Sequence, residues 1–432
     1  MLDIPPPDDD GVRAWVAENL GDLCAAEDEG SPSGARPPAR GGQQAADAAL
    51  QAYDVKGYAR RRNNVWPAST RGASMLSPYI RHGLLTLPEV WDHVASGPPD
   101  DVAKFRDELR WQEYARHLYA RVGTASRRSL RYEAPERNAA GAQTNPWNSD
   151  AACLQSAWSE LVSEGWLTNQ TRMWLTSHWN VREGLGWRDG EDLMYRHLLD
   201  GSRAANRLGW QWTVGALTGK AYGFSRWQVE KRAPGLCATC PLERRCPIAD
   251  WPPTAERASL GHTDPRLRRD DDPQATAGPA TVAKSAEPQA IWMTTESLSD
   301  RDPATAAYPE LPVVFVFDEP LLRRLRLSCA AWSSSRSRWP IWRPAGRCSC
   351  GGATLSRFCR DDIWRRHSRR FQAGGPARPA STWCQCTRGP GSSALVPVRW
   401  PPTRRGPRAV AEGGCCGPAR VAEVVGWAIL LG

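Results

Sequence analysis

The sequence lacks any run of 18 or more apolar residues, which is about the length that a helix needs to cross a bilayer. Its first residues, MLDIPPPDDD, are acidic and rich in proline, whereas a secretory signal has a basic start and an apolar centre. We therefore expect no membrane span, no export and a cytoplasmic location. In that reducing setting, cysteines are more often metal ligands or free thiols than disulfides.

Lysine is absent after Ser328, where 17 arginines stand against only 4 acidic residues. The residues before that point carry slightly more acidic than basic side chains, 43 against 39, so the net charge of +9 comes from the last quarter of the chain. The net charge therefore does not indicate a nucleic-acid-binding protein, and such a function would need a local basic patch. A length of 432 residues suffices for two or three domains with a real core.

Two stretches in the first half of the chain have the composition of a ligand-binding site. In ASTRGASMLSPYIRHG, small and hydroxylated residues precede a predicted helix that begins near Leu76–Ser77–Pro78, and such a helix start can hold a phosphate. In FRDELRWQEYARHLYARV, apolar residues recur at helical spacing, and Glu108 shares a helix face with Trp111. A basic helix is predicted upstream, over Gln51–Arg62.

The segment Gly165–Trp212 is rich in tryptophan and holds a few polar residues among its apolar ones. Asn169 and Arg172 form one polar pair, and Asp200 and Asn206 form another just before a Trp-Gln-Trp. Aromatic side chains with a few fixed polar groups are what a large, flat, partly charged ligand needs. The alternative is a tryptophan-rich core without a ligand, which composition alone favours.

In this order, the motifs resemble those of the flavin-binding domain of the photolyase/cryptochrome family. Members carry a tyrosine, a Thr-Ser-x-Leu-Ser-type loop and a W-x-x-E-L-x-W-R-E-type helix, which match Tyr58, Ala73–Tyr79 and Phe105–Tyr114. They continue with G-W-x-H-N-R-x-R-M and D-G-D-x-A-x-N-x-x-x-W-Q-W, which match Trp166–Met173 and Asp200–Trp212. Ordinary core aromatics would not fall in this order, so the resemblance implies a mainly α, all-helical FAD-binding domain.

The resemblance implies that FAD is the cofactor and assigns a set of residues to it. The implied cofactor-binding residues are Tyr58, Ser74, Leu76, Ser77, Phe105, Gln112, Arg172, Asp200 and Asn206. Among them, Arg172 and Asp200 form an ion pair beside the isoalloxazine ring, and Asn206 lies near its N5 atom. Two positions depart from the family. Gln112 replaces an arginine that contacts the flavin phosphates, and Ser202 replaces an aspartate.

The resemblance also implies a reaction, the light-driven repair of UV-damaged DNA. The implied catalytic residues, which face the damaged bases, are Glu108, Trp111, Asn169, Met173 and Trp212. Trp210 and Trp187 are the implied first stations of a photoreduction chain, with Trp147 as a guess for the third. Members that repair (6-4) photoproducts carry a histidine pair where this chain has Thr168 and Asn169, so cyclobutane pyrimidine dimers are the implied lesion.

Four cysteines around this domain follow each other in the order of a metal site. Cys237 and Cys240 form a C-x-x-C, Cys246 follows after five more residues, and Cys153 lies upstream. Thiolates at this spacing suit a zinc ion or an iron–sulfur cluster. The order resembles that of a bacterial photolyase subgroup with a [4Fe–4S] cluster, although the inner spacing differs. A [4Fe–4S] cluster, zinc and free thiols without a metal stay open as alternatives.

The sequence after this domain changes character twice. Residues 253–287 are predicted to be a linker, and apolar runs follow at Ile291–Thr294 and Val313–Phe317. With a predicted helix between them, these runs are typical of buried parallel strands in a β-α-β unit. Residues 288–328 resemble the start of the family's α/β antenna domain, which precedes the flavin domain in the family and follows it here. Because the pattern then stops, no antenna chromophore is expected.

The two ends of the chain are predicted to lie outside the flavin domain, residues 47–252. Residues 329–432 hold 8 of the 13 cysteines and 7 of the 22 tryptophans and show no helical or strand period. That load does not suit a disordered tail, so we predict a frameshifted tail, with a natural disordered basic tail as the alternative. Residues 1–46 are predicted to be a disordered lead-in, with a short helix around Val12–Leu23 as the alternative.

The sequence thus predicts a monomeric flavoprotein, a deoxyribodipyrimidine photolyase-like lyase that acts on UV-damaged DNA. Two other hypotheses stay open. A cryptochrome-like blue-light sensor without repair would have no need of a dimer pocket that includes Glu108 and Trp212. A degenerate relic of a photolyase would hold FAD poorly, as the changes at Gln112 and Ser202 would allow.

Overall fold

The structure is a computed structural model that describes residues 9–24, 41–141, 145–254, 256–261 and 288–327. The predicted tail at 329–432 and most of the predicted linker at 253–287 lie outside the described residues. The described part is mainly helical, as the sequence predicts. No helix in these ranges is long and apolar enough to cross a membrane.

The helices and strands follow one another from an N-terminal helix to a small α/β segment. The helices are α1 (Asp9–Leu20), α2 (Gln43–Ala52), α3 (Tyr58–Arg61), α4 (Ser77–Arg81), α5 (Leu87–His93), α6 (Pro99–Val122), α7 (Ala152–Glu164), α8 (Asn169–Ser177), α9 (Trp187–His197), α10 (Arg203–Thr213), α11 (Arg226–Arg232), α12 (Pro303–Ala307) and α13 (Glu319–Leu325). The strands are β1 (Ile291–Met293) and β2 (Val313–Phe315). A π-helical turn, His178–Arg182, directly follows α8.

Local signals explain where the two central helices begin. Helix α6 has Pro99 in its first turn together with the acidic Asp100 and Asp101, which suit the positive end of the helix dipole. Helix α8 follows Thr168, whose hydroxyl accepts the N–H of Thr171 at 3.2 Å as an N-cap. All residues of α8 are buried, and the helix packs against α7, α9 and α10. Helix α8 is therefore central to the domain.

The core around α8 is built largely on tryptophan. Trp147, Trp174, Trp179 and Trp210 are each less than 2 % exposed and belong to one apolar cluster. A second cluster, around Leu76 and its neighbours, lies between α2, α4, α5 and α6. The tryptophan-rich core that composition favours is therefore present, but it does not account for the buried polar side chains described below.

The prediction of a single basic helix over Gln51–Arg62 is wrong, because a loop separates α2 from α3. Gly57, directly before α3, has a φ of 80°, a left-handed conformation that a continuous helix does not contain. The carboxylate of Asp101 accepts the N–H groups of Gly57 and Ala59, at 2.7 and 2.8 Å. A contact with α6 therefore caps α3 and replaces the continuous helix that local sequence suggests.

The α/β segment contains the parallel pair of strands that the sequence predicts. Ile291 lies opposite Val313, and Met293 lies opposite Phe315, with α12 between the strands in the chain. Both strands are shorter than predicted. They are not buried on both faces, since Trp292 is 45 % exposed.

The interpretation of residues 1–46 as a disordered lead-in is wrong for the part that the structure describes. Helix α1 buries Trp15 in an apolar cluster with Leu322 of α13. Asp22, just after α1, pairs with Arg323 at 2.8 Å. The alternative of a short helix near the N-terminus is therefore correct, and α1 packs on the α/β segment.

Candidate functional site

Helices α3, α4, α6 and α8 contribute to the wall of an open cavity. Five predicted cofactor-binding residues line it, namely Tyr58, Ser74, Ser77, Phe105 and Gln112. Two of the predicted catalytic residues, Glu108 and Asn169, line it as well. The residues come from separate segments of the chain, so the fold has gathered most of the predicted flavin site in one place. We call this cavity the polar cavity.

The loop before α4 lines the polar cavity with a strained backbone. Met75 has a φ of 57°, which a residue with a side chain rarely adopts and which is often found at ligand sites. Ser74 and Met75 line the cavity, and the hydroxyl of Ser74 accepts the N–H of Leu76 at 3.3 Å. The side chain of Leu76 instead lies fully buried in the apolar core beneath the loop. Its contribution is therefore to anchor the loop.

Asp200 is 0 % exposed and does not itself line the polar cavity, but it contacts Ser77, which does. Its Oδ2 accepts the hydroxyl of Ser77 at 2.6 Å and Nη2 of Arg172 at 2.7 Å. Its Oδ1 is also buried and has no hydrogen-bond partner among the described residues. A buried carboxylate oxygen without a partner is costly, so this atom suits a donor on a bound ligand. The ion pair that the resemblance implies is present, and Ser77 connects it to the cavity.

Glu108 is only 3 % exposed and is held by two cations that the sequence analysis missed. Lys104, one helical turn earlier, lies 2.7 Å from its Oε1, and Arg62 lies 3.7 Å from the same oxygen. Burial raises the pKa of the Glu108 carboxyl, and the charges of Lys104 and Arg62 offset part of that rise. Glu108 therefore retains a proton to a higher pH than an ordinary glutamate. The spacing from Lys104 to Glu108 was the one available sequence signal.

Asn206 is oriented by Glu191, another residue that the sequence analysis missed. The side-chain N–H₂ of Asn206 donates to the backbone oxygen of Glu191 at 3.3 Å and to its Oε1 at 3.2 Å. Glu191 is 1 % exposed, and its Oε2 pairs with Arg203 at 2.6 Å and with Arg207 at 3.4 Å. Because Glu191 engages the nitrogen of the amide, the oxygen of Asn206 is left for another partner.

The remaining three predicted catalytic residues do not line the polar cavity. Met173 and Trp212 pack together in a small buried cluster, and the Trp212 ring lies 5.5 Å from that of Tyr222. Trp111 packs edge-on against Tyr114 at 5.4 Å on the outer face of α6. The structure therefore brings Glu108 and Asn169 together at the cavity, while the roles of these three aromatic and apolar residues stay predictions.

The tryptophan core contains a chain of ring contacts that starts at Trp210. The ring of Trp210 lies 6.3 Å from that of Trp147 and 6.5 Å from that of Trp179, and Trp147 lies 5.7 Å from the half-buried Trp158. Trp187 belongs to the same apolar cluster. Trp147 thus contacts Trp210 directly, and Trp158 and Trp179 are neighbours that the sequence analysis missed.

A second cavity, which we call the thiol cavity, is lined by Cys153, Cys237, Cys240 and Cys246. All four are free thiols. Burial, followed by the neighbouring cysteines, raises the pKa of Cys153 to about 12. Within the described ranges, however, no three His, Cys, Asp or Glu side chains form a group that could hold a metal ion. The metal therefore stays a prediction.

The gathered polar residues and the helical fold define a flavin-binding domain, and comparison with known proteins agrees. Residues 105–231 match the model of a family described as the FAD binding domain of DNA photolyase. This match supports the resemblance of the helical domain to the photolyase/cryptochrome family.

Curated relatives share the helical domain. The deoxyribodipyrimidine photo-lyase of Synechococcus sp. is 28 % identical over 194 residues, covering 41 % of this chain and 39 % of the relative. That of Thermus thermophilus is 30 % identical over 194 residues, covering 40 % and 43 %, and that of Escherichia coli is 30 % identical over 205 residues, covering 42 % and 41 %. The chain thus spans about two fifths of the length of these relatives.

Two solved structures align with part of the chain. A bacterial class III photolyase from Agrobacterium tumefaciens has a TM-score of 0.36 and 21 % identity, covering 40 % of this chain and 37 % of that one. A cryptochrome from Synechocystis sp. has a TM-score of 0.41 and 21 % identity, covering 48 % and 46 %.

Proposed function

We propose that this protein binds FAD at the polar cavity and repairs cyclobutane pyrimidine dimers in UV-damaged DNA, as a photolyase-like lyase. The observation that carries the proposal is the buried Oδ1 of Asp200, which is positioned by Ser77 and Arg172 and lacks a donor in the described part of the chain. When bound and reduced, FAD would supply the electron that splits the dimer on absorption of blue light. The names of the curated relatives support the same reaction.

The residues that line the polar cavity, together with the buried Asp200 and Asn206 outside its lining, fit FAD. The Oδ1 of Asp200 would accept a ring N–H, and the amide oxygen of Asn206 would accept another. Hydroxyls of Ser74 and Ser77 would bind the diphosphate. Arg62 lines the cavity and provides a positive charge, which compensates in part for the arginine that Gln112 replaces.

Two side chains at the cavity would bind the lesion. Glu108, which lines the cavity beside Lys104, would form a hydrogen bond with the pyrimidine edge of the lesion. The Oδ1 of Asn169 is buried without a hydrogen-bond partner in the described ranges and would accept one from a pyrimidine N–H. Flipping the dimer out of the duplex brings its bases within reach of such a pocket. Exposed arginines such as Arg60, Arg127 and Arg128 would contact phosphates.

An absorption spectrum of the purified protein tests the cofactor, and dimer loss tests the reaction. We expect flavin absorption bands at about 450 nm. Under blue light, we expect loss of thymine dimers from UV-irradiated DNA. The same sample kept in the dark is the control for dimer loss. A protein that takes up no flavin when incubated with FAD would overturn the proposal. Flavin uptake without light-dependent dimer loss would remove the repair step alone.

A second candidate is a blue-light flavoprotein without repair activity. Met173 and Trp212 favour it, because they pack against each other rather than lining the polar cavity. A sensor needs the flavin contacts of Asp200 and Asn206 but not a pocket for a dimer. Binding of FAD together with equal affinity for damaged and undamaged DNA would support this candidate over repair.

The predicted [4Fe–4S] cluster, with zinc as the alternative, belongs at the thiol cavity. Its four thiols converge on one cavity, and thiolates are the ligands that both metals prefer. Measuring iron, sulfide and zinc in the protein purified without oxygen tests this. Substitution of Cys153 by serine should lower the metal content and leave bound flavin unchanged. A wild-type protein without iron or zinc would leave the four cysteines as free thiols.

For photoreduction of the flavin, we infer that the tryptophan core delivers electrons to Trp210, which donates to the flavin. The ring contacts between Trp158 and Trp147 and between Trp147 and Trp210 support a route inwards from the half-buried Trp158, as an alternative to the predicted station Trp187. Photoreduction that is slowed by Trp158→Phe supports this route. If Trp187→Phe slows it and Trp158→Phe does not, the route through Trp158 is wrong.

A further inference from the structure

Two consecutive residues hold the backbone on both sides of Asp200. Nε of Arg81 donates to the backbone oxygen of Gly201 at 2.8 Å. Nε2 of His82 lies 2.9 Å from the backbone oxygen of Leu199. Leu199 and Gly201 are the neighbours of Asp200 in the chain, so the position of its carboxylate depends on these two contacts. Neither Arg81 nor His82 lines the polar cavity.

The same two side chains also hold the α/β segment. Nη1 of Arg81 pairs with Oε1 of Glu296 at 2.7 Å, and Nδ1 of His82 lies 2.7 Å from the backbone oxygen of Thr295. The backbone oxygen of His82 accepts the N–H of Leu298 at 3.0 Å. A histidine ring that is protonated on both nitrogens donates to both carbonyl groups at once. The loop 294–298 and the loop of Asp200 therefore share their two partners.

The approach of the α/β segment is close enough to require a glycine. A Cβ atom on Gly83 would lie 2.2 Å from the backbone oxygen of Glu296, and Gly83 also has a φ of +70°. Backbone meets backbone here, so a side chain at this position could not move aside. The contact between the loop 294–298 and the end of α4 is therefore specific in shape as well as in hydrogen bonding.

We propose that Arg81 and His82 act as a clamp, which couples docking of the loop 294–298 to the position of Asp200 and thereby tunes the affinity of the polar cavity for FAD. The proposal rests on the proposed function, since Asp200 is the FAD contact in question. Arg81 and His82 act through the backbone of residues 199–201, so they are positioning residues. A docked α/β segment gives the arrangement in which Asp200 meets Ser77 and Arg172, and an undocked one releases it.

The test uses Glu296→Gln in the full chain. Glu296 belongs to the α/β segment, and its side chain is 67 % exposed, so it can be replaced without disturbing the core. The matched control is Arg301→Gln. Arg301 docks the same segment through Asp47, at 2.6 Å, but does not touch the clamp. Two measurements are made on each protein, FAD affinity by titration and hydrogen exchange of the backbone amides at 199–201.

We expect Glu296→Gln to weaken FAD binding by about two- to tenfold and to speed exchange at 199–201, while Arg301→Gln changes neither. Arg81→Lys should weaken FAD binding as well, because one ammonium group cannot reproduce the two directed contacts of the guanidinium. Equal FAD affinity and equal exchange in wild type and Glu296→Gln would overturn the clamp. Faster exchange in a protein that never binds FAD would keep the mechanical coupling, overturn its effect on FAD affinity and refute the proposed function.

Discussion

The polar cavity and the thiol cavity are organised in opposite ways. Around the polar cavity, hydrogen bonds within the chain already fix buried side chains. Asp200 is held by Ser77 and Arg172, and Asn206 is held by Glu191. At the thiol cavity, four cysteines face a common space as free thiols, and in the described ranges they do not form a group that could hold a metal ion.

The difference shows what each site requires of its ligand. Preorganised dipoles and charges can receive a ligand with little rearrangement, and they remain in place without one. Thiols become ligands only after losing protons, so a metal would have to draw them together as it binds. Substitutions at the polar cavity should therefore change flavin binding directly, whereas those around the thiol cavity should act on metal content and local stability.

The largest effect is expected from Asp200→Asn, which removes the charge from the buried pair with Arg172. The asparagine side chain has one oxygen and one N–H₂ group. It therefore cannot accept from Arg172 and from a flavin donor at the two positions that the carboxylate oxygens of Asp200 occupy. We expect a loss of about 3 kcal/mol or more in the free energy of unfolding, and at least about a tenfold loss of FAD affinity. Urea unfolding and FAD titration measure the two.

A matched control separates the two effects of Asp200→Asn. Glu160→Gln removes the charge from another buried pair, that of Glu160 with Arg71. Neither of these residues lines the polar cavity, whereas Asp200 contacts Ser77, which does. We expect it to destabilise the fold without changing FAD affinity per folded molecule. An equal loss of FAD affinity in both variants would mean that Asp200 supports only the fold.

The next effect concerns the thiol cavity, where Arg182 ties the cysteine segment to the core. Its guanidinium donates to the backbone oxygens of Phe224, Pro247 and Asp250, at 2.7, 3.1 and 2.7 Å. Two of these residues follow Cys246 closely in the chain. We expect Arg182→Ala to cost about 2–3 kcal/mol in stability. It should also lower iron or zinc content, with bound flavin per folded molecule unchanged.

Elemental analysis beside the flavin absorbance measures this contrast between the two cavities. Arg188→Ala is a suitable control, because Arg188 donates to the backbone oxygen of Arg127 at 2.7 Å and lies over the ring of Trp187, away from the cysteine segment. A fall in flavin as large as the fall in metal after Arg182→Ala would show that the two cavities are not independent.

The order of chemically distinct residues was enough to predict most of the polar cavity. Tyr58, Ser74, Ser77 and Gln112 are far apart in the chain, yet the resemblance places them at one ligand and the fold brings them to one cavity. The start of α4 and the parallel pairing of the strands were also predictable, from a Ser-Pro helix start and from two apolar runs.

What the sequence did not reveal depends on contacts between distant segments. Glu191 and Lys104 have no motif of their own, and their roles arise because α9 meets α10 and because one turn of α6 places a cation beside Glu108. The break between α2 and α3 needs the carboxylate of Asp101 on another helix. The rotation of a helix about its axis, which turns Met173 towards Trp212, is likewise set by packing rather than by local sequence.

A smaller effect within the polar cavity would separate flavin binding from repair. Asn169→Ala removes an amide that lines the cavity and whose Oδ1 is buried without a hydrogen-bond partner in the described part. We expect repair to fall by about tenfold or more, which corresponds to about 1.4 kcal/mol, while FAD content stays near that of the wild type. Repair is measured as thymine dimers lost per absorbed photon, and FAD content as flavin absorbance per protein. Equal loss of both would show that Asn169 serves the flavin rather than the lesion.

A last effect, which appears only in acid, concerns stability beside the thiol cavity, where His178 begins the π-helical turn that carries Arg182. Burial, and then the charge of Arg182, lowers the pKa of His178 from 6.5 to about 4. As pH falls below 6.5, the unfolded chain takes up a proton that the folded chain refuses, so stability is lost between pH 6.5 and about 4. The loss from this residue at about pH 5 is about 2 kcal/mol relative to neutral pH, and His178→Gln should remove it.

His117 is a control whose pKa is shifted in the opposite direction, because a hydrogen bond with Glu113 raises it. Its contribution to stability is therefore present at low pH and is lost as pH rises. Urea titrations at about pH 7.5 and about pH 5 measure the loss. If His178→Gln and the wild type lose the same free energy of unfolding between these pH values, His178 binds a proton in the folded state as readily as in the unfolded chain.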